Sequence, residues 1–264
     1  MYKKVDRLNE YLRSLSPVAT AFSGGVDSTF LLKAAHDLLG DNAVAVTIRS
    51  RLFPEREFND AKDFCIREGI RQIVVEADEF SIDGFADNPK NRCYLCKSCM
   101  FKRIRKTVTE TGIDNIIEGS NKDDDSDYRP GLTAVAELGI KSPLRYAGLT
   151  KAEIRELSLD MGLPTWDKPS FACLATRFVY GETITMEKLD MVDRAEQFLI
   201  GLGFRQVRVR VHGKMARIET DRGDFLKMIS AAEEVYKRLS DLGFTYVSLD
   251  LDGYRTGNMN KGIL

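Results

Sequence analysis

The sequence predicts an α/β protein, a doubly wound parallel sheet followed by a smaller C-terminal α+β domain, on three observations. Short apolar runs alternate with helical patterns through the first ~165 residues, as βα units require. A Ser-Gly-Gly turn lies directly between a buried strand and a helix. After Tyr180-Gly181 the pattern changes to a helix followed by a strictly alternating strand.

The elements justify themselves in turn. The N-terminus opens on a polar helical pattern. Val18 to Phe22 reads as a buried strand, and Phe30, Leu31, Ala34 and Leu38 carry the next helix at helical spacing. Ala43 to Ile48 and Gln72 to Val75 are strands, with a helix over Phe58 to Ile70 between them. A helix over Tyr94 to Val108 precedes a fourth strand at Asn115 to Glu118, and further helical patterns lie near Leu132–Leu138 and Lys151–Met161. The last has a capping box, Thr150 with Glu153, and a stop at Gly162 and Pro164. The second region reads as a helix over Thr185 to Gly201 and a half-buried strand over Gln206 to Val211. Met215–Ile218 completes a hairpin, and a helix over Phe225–Leu239 and a strand at Tyr246–Leu251 follow. The boundary is expected at residue 178, giving domains 1–178 and 179–264.

Composition narrows the function. The chain has 264 residues, 39 Lys+Arg against 40 Asp+Glu, and a net charge of -1. That balance argues against bulk electrostatic binding of nucleic acid. No apolar run approaches a membrane span and no signal peptide is visible, so a cytoplasmic location is expected. Two His are too few for a His-rich metal site. Of five Cys, Cys93, Cys96 and Cys99 crowd into one short segment, which in a reducing compartment suggests metal, cluster or sulfur chemistry.

Ser23-Gly24-Gly25-Val26-Asp27-Ser28 is the first chemical signal. A loop between a strand and a helix N-terminus offers backbone N–H groups and a positive dipole end to an anion. Glycines let the backbone approach phosphate, Ser23 and Ser28 add donors, and Asp27 offers a carboxylate to Mg2+. The loop lacks the Lys of a Walker A and the spacing of a dinucleotide turn. The hexapeptide resembles the PP-loop of the ATP pyrophosphatase superfamily, whose members split ATP into AMP and pyrophosphate. The resemblance implies an adenine nucleotide alpha hydrolase-like fold, adenine near Thr47 and Arg49, and a further nucleotide-proximal segment at Gly119-Ser120-Asn121. The acidic run from Asp123 to Asp127 either assists Mg2+ or is a solvated loop.

The second signal is sulfur. Cys93-x-x-Cys96 offers two thiols to one metal or cluster, and a third Cys from elsewhere would leave one iron of a four-iron cluster open. Zinc on Cys93, Cys96, Cys99 and Cys173 and unligated thiols are the alternatives that the residues leave open. Cys65 reads as a core residue. A basic block from Arg92 to Lys106 surrounds the cysteines; Arg92 and Lys97 flank the thiols, and the rest read as solvated helix face.

Further motifs occur in order: Asp127-Tyr128-Arg129-Pro130-Gly131, Ser142-Pro143-Leu144, Lys151-x-Glu153-Ile154-Arg155, Asp167-Lys168-Pro169-Ser170, Ala172-Cys173-Leu174 and Arg208-Val209-Arg210-Val211-His212-Gly213. With the PP-loop and the Cys pair, they resemble the LarE family of ATP-dependent sulfur transferases across nearly the whole chain. The resemblance implies adenylation of the carboxylates of pyridinium-3,5-biscarboxylic acid mononucleotide with ATP and Mg2+, then replacement of oxygen by sulfur. This is a step toward the nickel-pincer nucleotide cofactor of lactate racemase.

One branch of that family takes sulfur from a single Cys, matched by Cys173. The other holds a [4Fe-4S] cluster on three Cys, matched by Cys93, Cys96 and Cys173, and the Cys at position 93 puts this chain with it. Lys97 and Arg177 match catalytic-site residues. Thr176, Arg208 and Arg210 match a substrate-phosphate site, and Glu196 matches a metal-contacting carboxylate. A homo-oligomer and a sulfide donor are implied in the same way. The competing readings are a tRNA-thiolating PP-loop enzyme, an amidotransferase-type ligase, and a non-enzymatic nucleotide-binding regulator with a zinc clip.

Overall fold

The computed structural model describes residues 1–126, 130–255 and 257–258. It divides into two compact units, one of residues 1–82 and 91–171, the other of residues 83–90 and 172–264.

The first unit is built on a four-stranded parallel sheet in the order β3-β2-β1-β4. Its elements are α1 (Tyr2–Leu15), β1 (Val18–Ala21), α2 (Val26–Leu39), β2 (Ala43–Arg49), α3 (Glu55–Glu68), β3 (Gln72–Glu76), α4 (Arg92–Thr109), β4 (Asn115–Ile117), α5 (Pro130–Glu137), α6 (Pro143–Ala147) and α7 (Lys151–Asp160). Strand side chains alternate between two cores, as a period of two requires. Val18, Ala43, Ala45 and Ile117 face one core with Leu8, Leu12, Leu31, Phe64 and Ile154. Ala19, Val44, Val46 and Ile116 face the other with Phe101, Ile104, Val108 and Val135. Helices therefore cover both faces, and near-continuous apolar strands are the consequence. The α/β class and the parallel sheet agree with the sequence reading.

Local signals account for the helices that matter to the site. Leu8, Leu12 and Leu15 form one buried stripe on α1. The capping box of α7 is present: Glu153 N donates to Thr150 Oγ1 at 3.3 Å and Thr150 N donates to Glu153 Oε2 at 2.9 Å. Lys4 on α1 then reaches Glu153 at 2.7 Å. Helix α4 begins at Arg92, two residues ahead of the predicted start, so Cys93 is helical.

The second unit holds α8 (Met186–Gly201), β5 (Val207–His212), β6 (Met215–Thr220), α9 (Phe225–Ser230), α10 (Ala232–Asp241) and β7 (Tyr246–Leu249). β5 and β6 form the predicted antiparallel hairpin, and β7 adds parallel to β6. The single helix predicted over 225–239 is two, with Ala231 at their junction. The first compact unit runs to Phe171, and residues 83–90 group with the second. Hydrogen bonds explain that excursion. Buried Asn88 donates to the carbonyl of Val179 at 2.6 Å, and its own carbonyl accepts from Gly181 N at 3.0 Å. Ile184 N donates to the carbonyl of Ala86 at 2.8 Å. Among the described residues no helix is long and apolar enough to cross a membrane.

The Lys4–Glu153 contact gives an acid-stability prediction. The Lys4 ammonium first, and the Thr150 backbone amide second, hold the Glu153 carboxyl down at about 2 from an ordinary 4.5. The stabilisation is therefore complete above about pH 4.5 and is lost progressively as pH falls toward about 2. Lys4→Met should lower stability at pH 7 by up to about 1 kcal/mol. The melting curves of variant and wild type should converge as the pH approaches that lower value; a gap that stays constant down to it would contradict the assignment.

Candidate functional site

In the first unit the strand order reverses between β1 and β4, the crevice where open parallel sheets bind ligands. The segment after β1 is Phe22 to Gly25, and α2 starts immediately after it. Gly24 has φ +71°, a conformation open to glycine at little cost. No side chain caps α2 at Gly25, so the first-turn amides are presented to a ligand. Ser28 ties the loop into a ring: its Oγ lies 3.1 Å from Ser23 Oγ, accepts from Ser23 N at 3.3 Å and donates to the Gly25 carbonyl at 3.1 Å.

The segment after β4 closes the other side. A Cβ at Gly119 would stand 3.0 Å from Ser28 N and 3.3 Å from Asp27, so a larger residue would have to push the loop back by a few tenths of an ångström. Buried Glu118 fixes the segment by accepting from Ser120 N at 3.1 Å, from Ser120 Oγ at 2.8 Å and from Ser142 Oγ. Asn121 Nδ2 donates to Asp27 Oδ1 at 3.3 Å, and Lys151 Nζ donates to Asp27 Oδ2. Lys168 Nζ donates to the Gly24 carbonyl at 3.3 Å and pairs with Glu57 at 2.8 Å.

This loop fits a triphosphate: bare helix amides, hydroxyls and no side chain at two positions. Asp27 fits Mg2+, which commonly takes one or two carboxylates and completes its shell with phosphate and water. Thr47 and Arg49 lie on β2. Thr47 is buried, its hydroxyl accepting from Gln72 at 2.8 Å. Arg49 pairs with Glu55 at 2.7 Å and lies over Phe58.

Cys93 and Cys96 fall in the first two turns of α4, and all five cysteines are free thiols. Arg92 Nη2 lies 3.8 Å from Cys93 Sγ, and Cys96 Sγ lies 3.3 Å from Met100 Sδ. Lys97, four residues after Cys93 and so on the same helix face, packs its stem on Gly131, where a Cβ would be 2.6 Å from Lys97 Cδ. Residues 127–129 of the predicted motif at Asp127-Tyr128-Arg129 lie outside the described residues. Burial pushes the Cys65 thiol up to about 12, in keeping with an inert core residue. Among the described residues no three His, Cys, Asp or Glu side chains are gathered to hold a metal ion.

In the second unit Cys173 precedes a short 3-10 turn, Leu174–Arg177. Its carbonyl accepts from Thr176 N at 3.0 Å, Thr176 Oγ1 at 2.8 Å and Arg177 Nη1 at 3.2 Å. Arg177 is wholly buried and makes a two-point pair with Glu196 of α8, at 2.9 and 2.8 Å. Glu196 also accepts from Val209 N at 2.9 Å. Burial opposes both charges, but their mutual attraction prevails, holding Arg177 above and Glu196 below its usual value. Both oxygens of Glu196 thus accept from protein donors. Arg177 acts as a strut for the Cys173 turn.

The strand expected to be half-buried over 206–211 is instead buried at Val207 through Val211, Arg208 and Arg210 included. Both are buried, because α8 packs on β5 and β5 is enclosed on both sides. Arg210 forks onto Glu219 at 2.9 and 2.7 Å and donates to the Thr176 carbonyl at 3.0 Å. Arg208 donates to the Val207 carbonyl at 2.7 Å and lies over Tyr254. Burial first, then the Arg177 charge, push Arg208 down to about 10. Sequence reasoning does not single out Glu219, Glu118, Lys151 or Lys168 as site residues. Only the hairpin register, which sets Arg208 opposite Glu219, could have pointed to Glu219.

Likeness to known proteins bears on this geometry. No family model matches the chain. It is 39% identical over 253 residues to the pyridinium-3,5-bisthiocarboxylic acid mononucleotide synthase of Lactiplantibacillus plantarum, covering 94% of this chain and 91% of that protein. The chain belongs to the LarE family. It is also 41% identical over 261 residues to an uncharacterized protein of Synechocystis sp., covering 98% and 97% of the two. More distantly, this LarE chain is 29% identical over 189 residues to one component of the glutamine-hydrolyzing GMP synthase of Thermoplasma volcanium, covering 65% and 59%. This last likeness accords with the PP-loop fold.

The buried Arg177–Glu196 pair predicts a large loss when one partner is neutralised. Glu196→Gln should cost about 3–5 kcal/mol in urea denaturation, because it strands a buried guanidinium. The double variant Arg177→Met/Glu196→Leu should recover much of it; a Glu196→Gln effect within about 0.5 kcal/mol, the range of ordinary surface changes, would remove the pair from the account.

Proposed function

We propose that this chain is an ATP-dependent sulfur transferase that converts pyridinium-3,5-biscarboxylic acid mononucleotide to its thiocarboxylate form, in the synthesis of the nickel-pincer nucleotide cofactor. The observation that carries the reading is the PP-loop ring at Ser23–Ser28, closed by Gly119, in a chain whose relative bears the synthase name.

The chemistry follows from the residues. A carboxylate resists substitution because its leaving group would be oxide. Attack of a carboxylate oxygen on the α-phosphorus of ATP forms an acyl adenylate and releases pyrophosphate, which the loop amides, Ser23 and Ser28 hold. Mg2+ at Asp27 would supply charge neutralisation for the phosphates. Sulfur then adds to the activated carbon and AMP leaves. Lys97 is the cation proposed to stabilise charge at the reacting carboxylate. Arg208 is the proposed contact to the substrate phosphate, with Thr176 and Arg210 beside it. Arg177 and Glu196 hold the Cys173 turn in shape as positioning residues.

Sulfur is handled through Cys93, Cys96 and Cys173. Two sources are distinguished by composition. Thioester formation on Cys173 followed by elimination leaves dehydroalanine there, with the elements of hydrogen sulfide lost from the protein. A cluster on the three thiolates leaves the polypeptide mass unchanged and brings iron and sulfide with the protein.

Protein purified without oxygen should release AMP and pyrophosphate only with the biscarboxylated mononucleotide, and Asp27→Asn should slow this on the order of 100-fold. Cys173→Ser should still release pyrophosphate on forming the acyl adenylate, yet form no thiocarboxylate. Intact mass, iron and sulfide on the same samples assign the source. Absence of AMP release with that substrate would overturn the reading.

A further inference from the structure

The ion pair between Lys151 and Asp27 is the feature that the proposed reaction leaves without a role. Lys151 is the first residue of α7, and its backbone is held firmly. The capping box fixes the helix start, Lys151 N donates to Asp123 Oδ2 at 2.8 Å, and Lys122 N donates to the Leu149 carbonyl at 2.8 Å. From this anchored base the side chain reaches Asp27, in the first turn of α2, while Asn121 takes the other carboxylate oxygen. Both partners are roughly three-quarters covered, at 28% and 23% exposure, so the pair is neither a deep buried bridge nor a solvated surface one.

Asp27 is the carboxylate that suits Mg2+ in this loop. A divalent cation there takes over the oxygen that Lys151 occupies, and two cations cannot share it without repulsion. The ammonium must then leave, and the four-carbon stem permits that without moving α7. The nearest new anion is the end of the triphosphate lying on the same amides. We infer that Lys151 is the exchangeable counter-ion of the PP-loop: it neutralises Asp27 when the loop is empty and passes to the pyrophosphate end of ATP when a divalent cation takes Asp27. The inference rests on the ATP reading given above and adds a pyrophosphate-specific ligand to it.

The test is equilibrium binding, which needs no turnover. Mg-ATP, magnesium pyrophosphate and AMP are titrated calorimetrically into wild type, Lys151→Met and Lys151→Arg, with melting temperatures taken alongside. Lys151→Met should weaken Mg-ATP and pyrophosphate binding by about tenfold or more and leave AMP binding within about twofold, since the lost contact is a charge-assisted one to phosphate alone. Lys151→Arg should keep most of the affinity. A lysine that only braces the loop would weaken ATP and AMP alike, and that result, or unchanged pyrophosphate binding in Lys151→Met, overturns the inference. Wild type that binds neither ATP nor pyrophosphate overturns the ATP reading itself.

Discussion

The close approach of Gly119 to the amide of Ser28 is the constraint on which the first unit's site depends. Two chain segments meet there, one leaving β1 and one leaving β4, and the gap between them would hold a Cβ only in tight contact. The approach exists because β4 pairs parallel with β1, so both segments emerge at the same end of the sheet. Glu118 then holds its segment rigid through two serines, and Asn121 and Lys151 complete the ring of partners around Asp27.

The second unit solves a different problem. It encloses Arg177, Arg208 and Arg210, and burial of charge is costly unless each is compensated. Glu196 and Glu219 provide that compensation as two-point partners of Arg177 and Arg210. The arrangement links α8, β5, β6 and the Cys173 turn into one polar network, because Arg177 and Arg210 both also donate to carbonyls of that turn. The backbone of the Cys173 turn gains a defined position in this way.

Much of this was legible in the residues. The alternating strands, the Ser-Gly-Gly-Val-Asp-Ser loop, the Thr150–Glu153 capping box and the hairpin at Val207–Thr220 all depend on interactions between neighbours in the chain, so local pattern suffices to read them. The spacing of Arg208 and Arg210 on one strand face was equally visible. Their burial was not, since alternation with valine looks the same whether the polar face meets water or meets buried carboxylates.

Chain-local chemistry therefore established the fold class, the anion loop and the identity of the thiols. Three-dimensional pairing settled the rest: that residues 83–90 join the second unit through Asn88, that Glu196 faces an arginine, and that Lys151 reaches Asp27. These contacts join residues far apart in sequence, and no periodicity or spacing carries the register that brings them together. A carboxylate's role as metal ligand or ion-pair partner is decided by which cation the folded chain sets beside it.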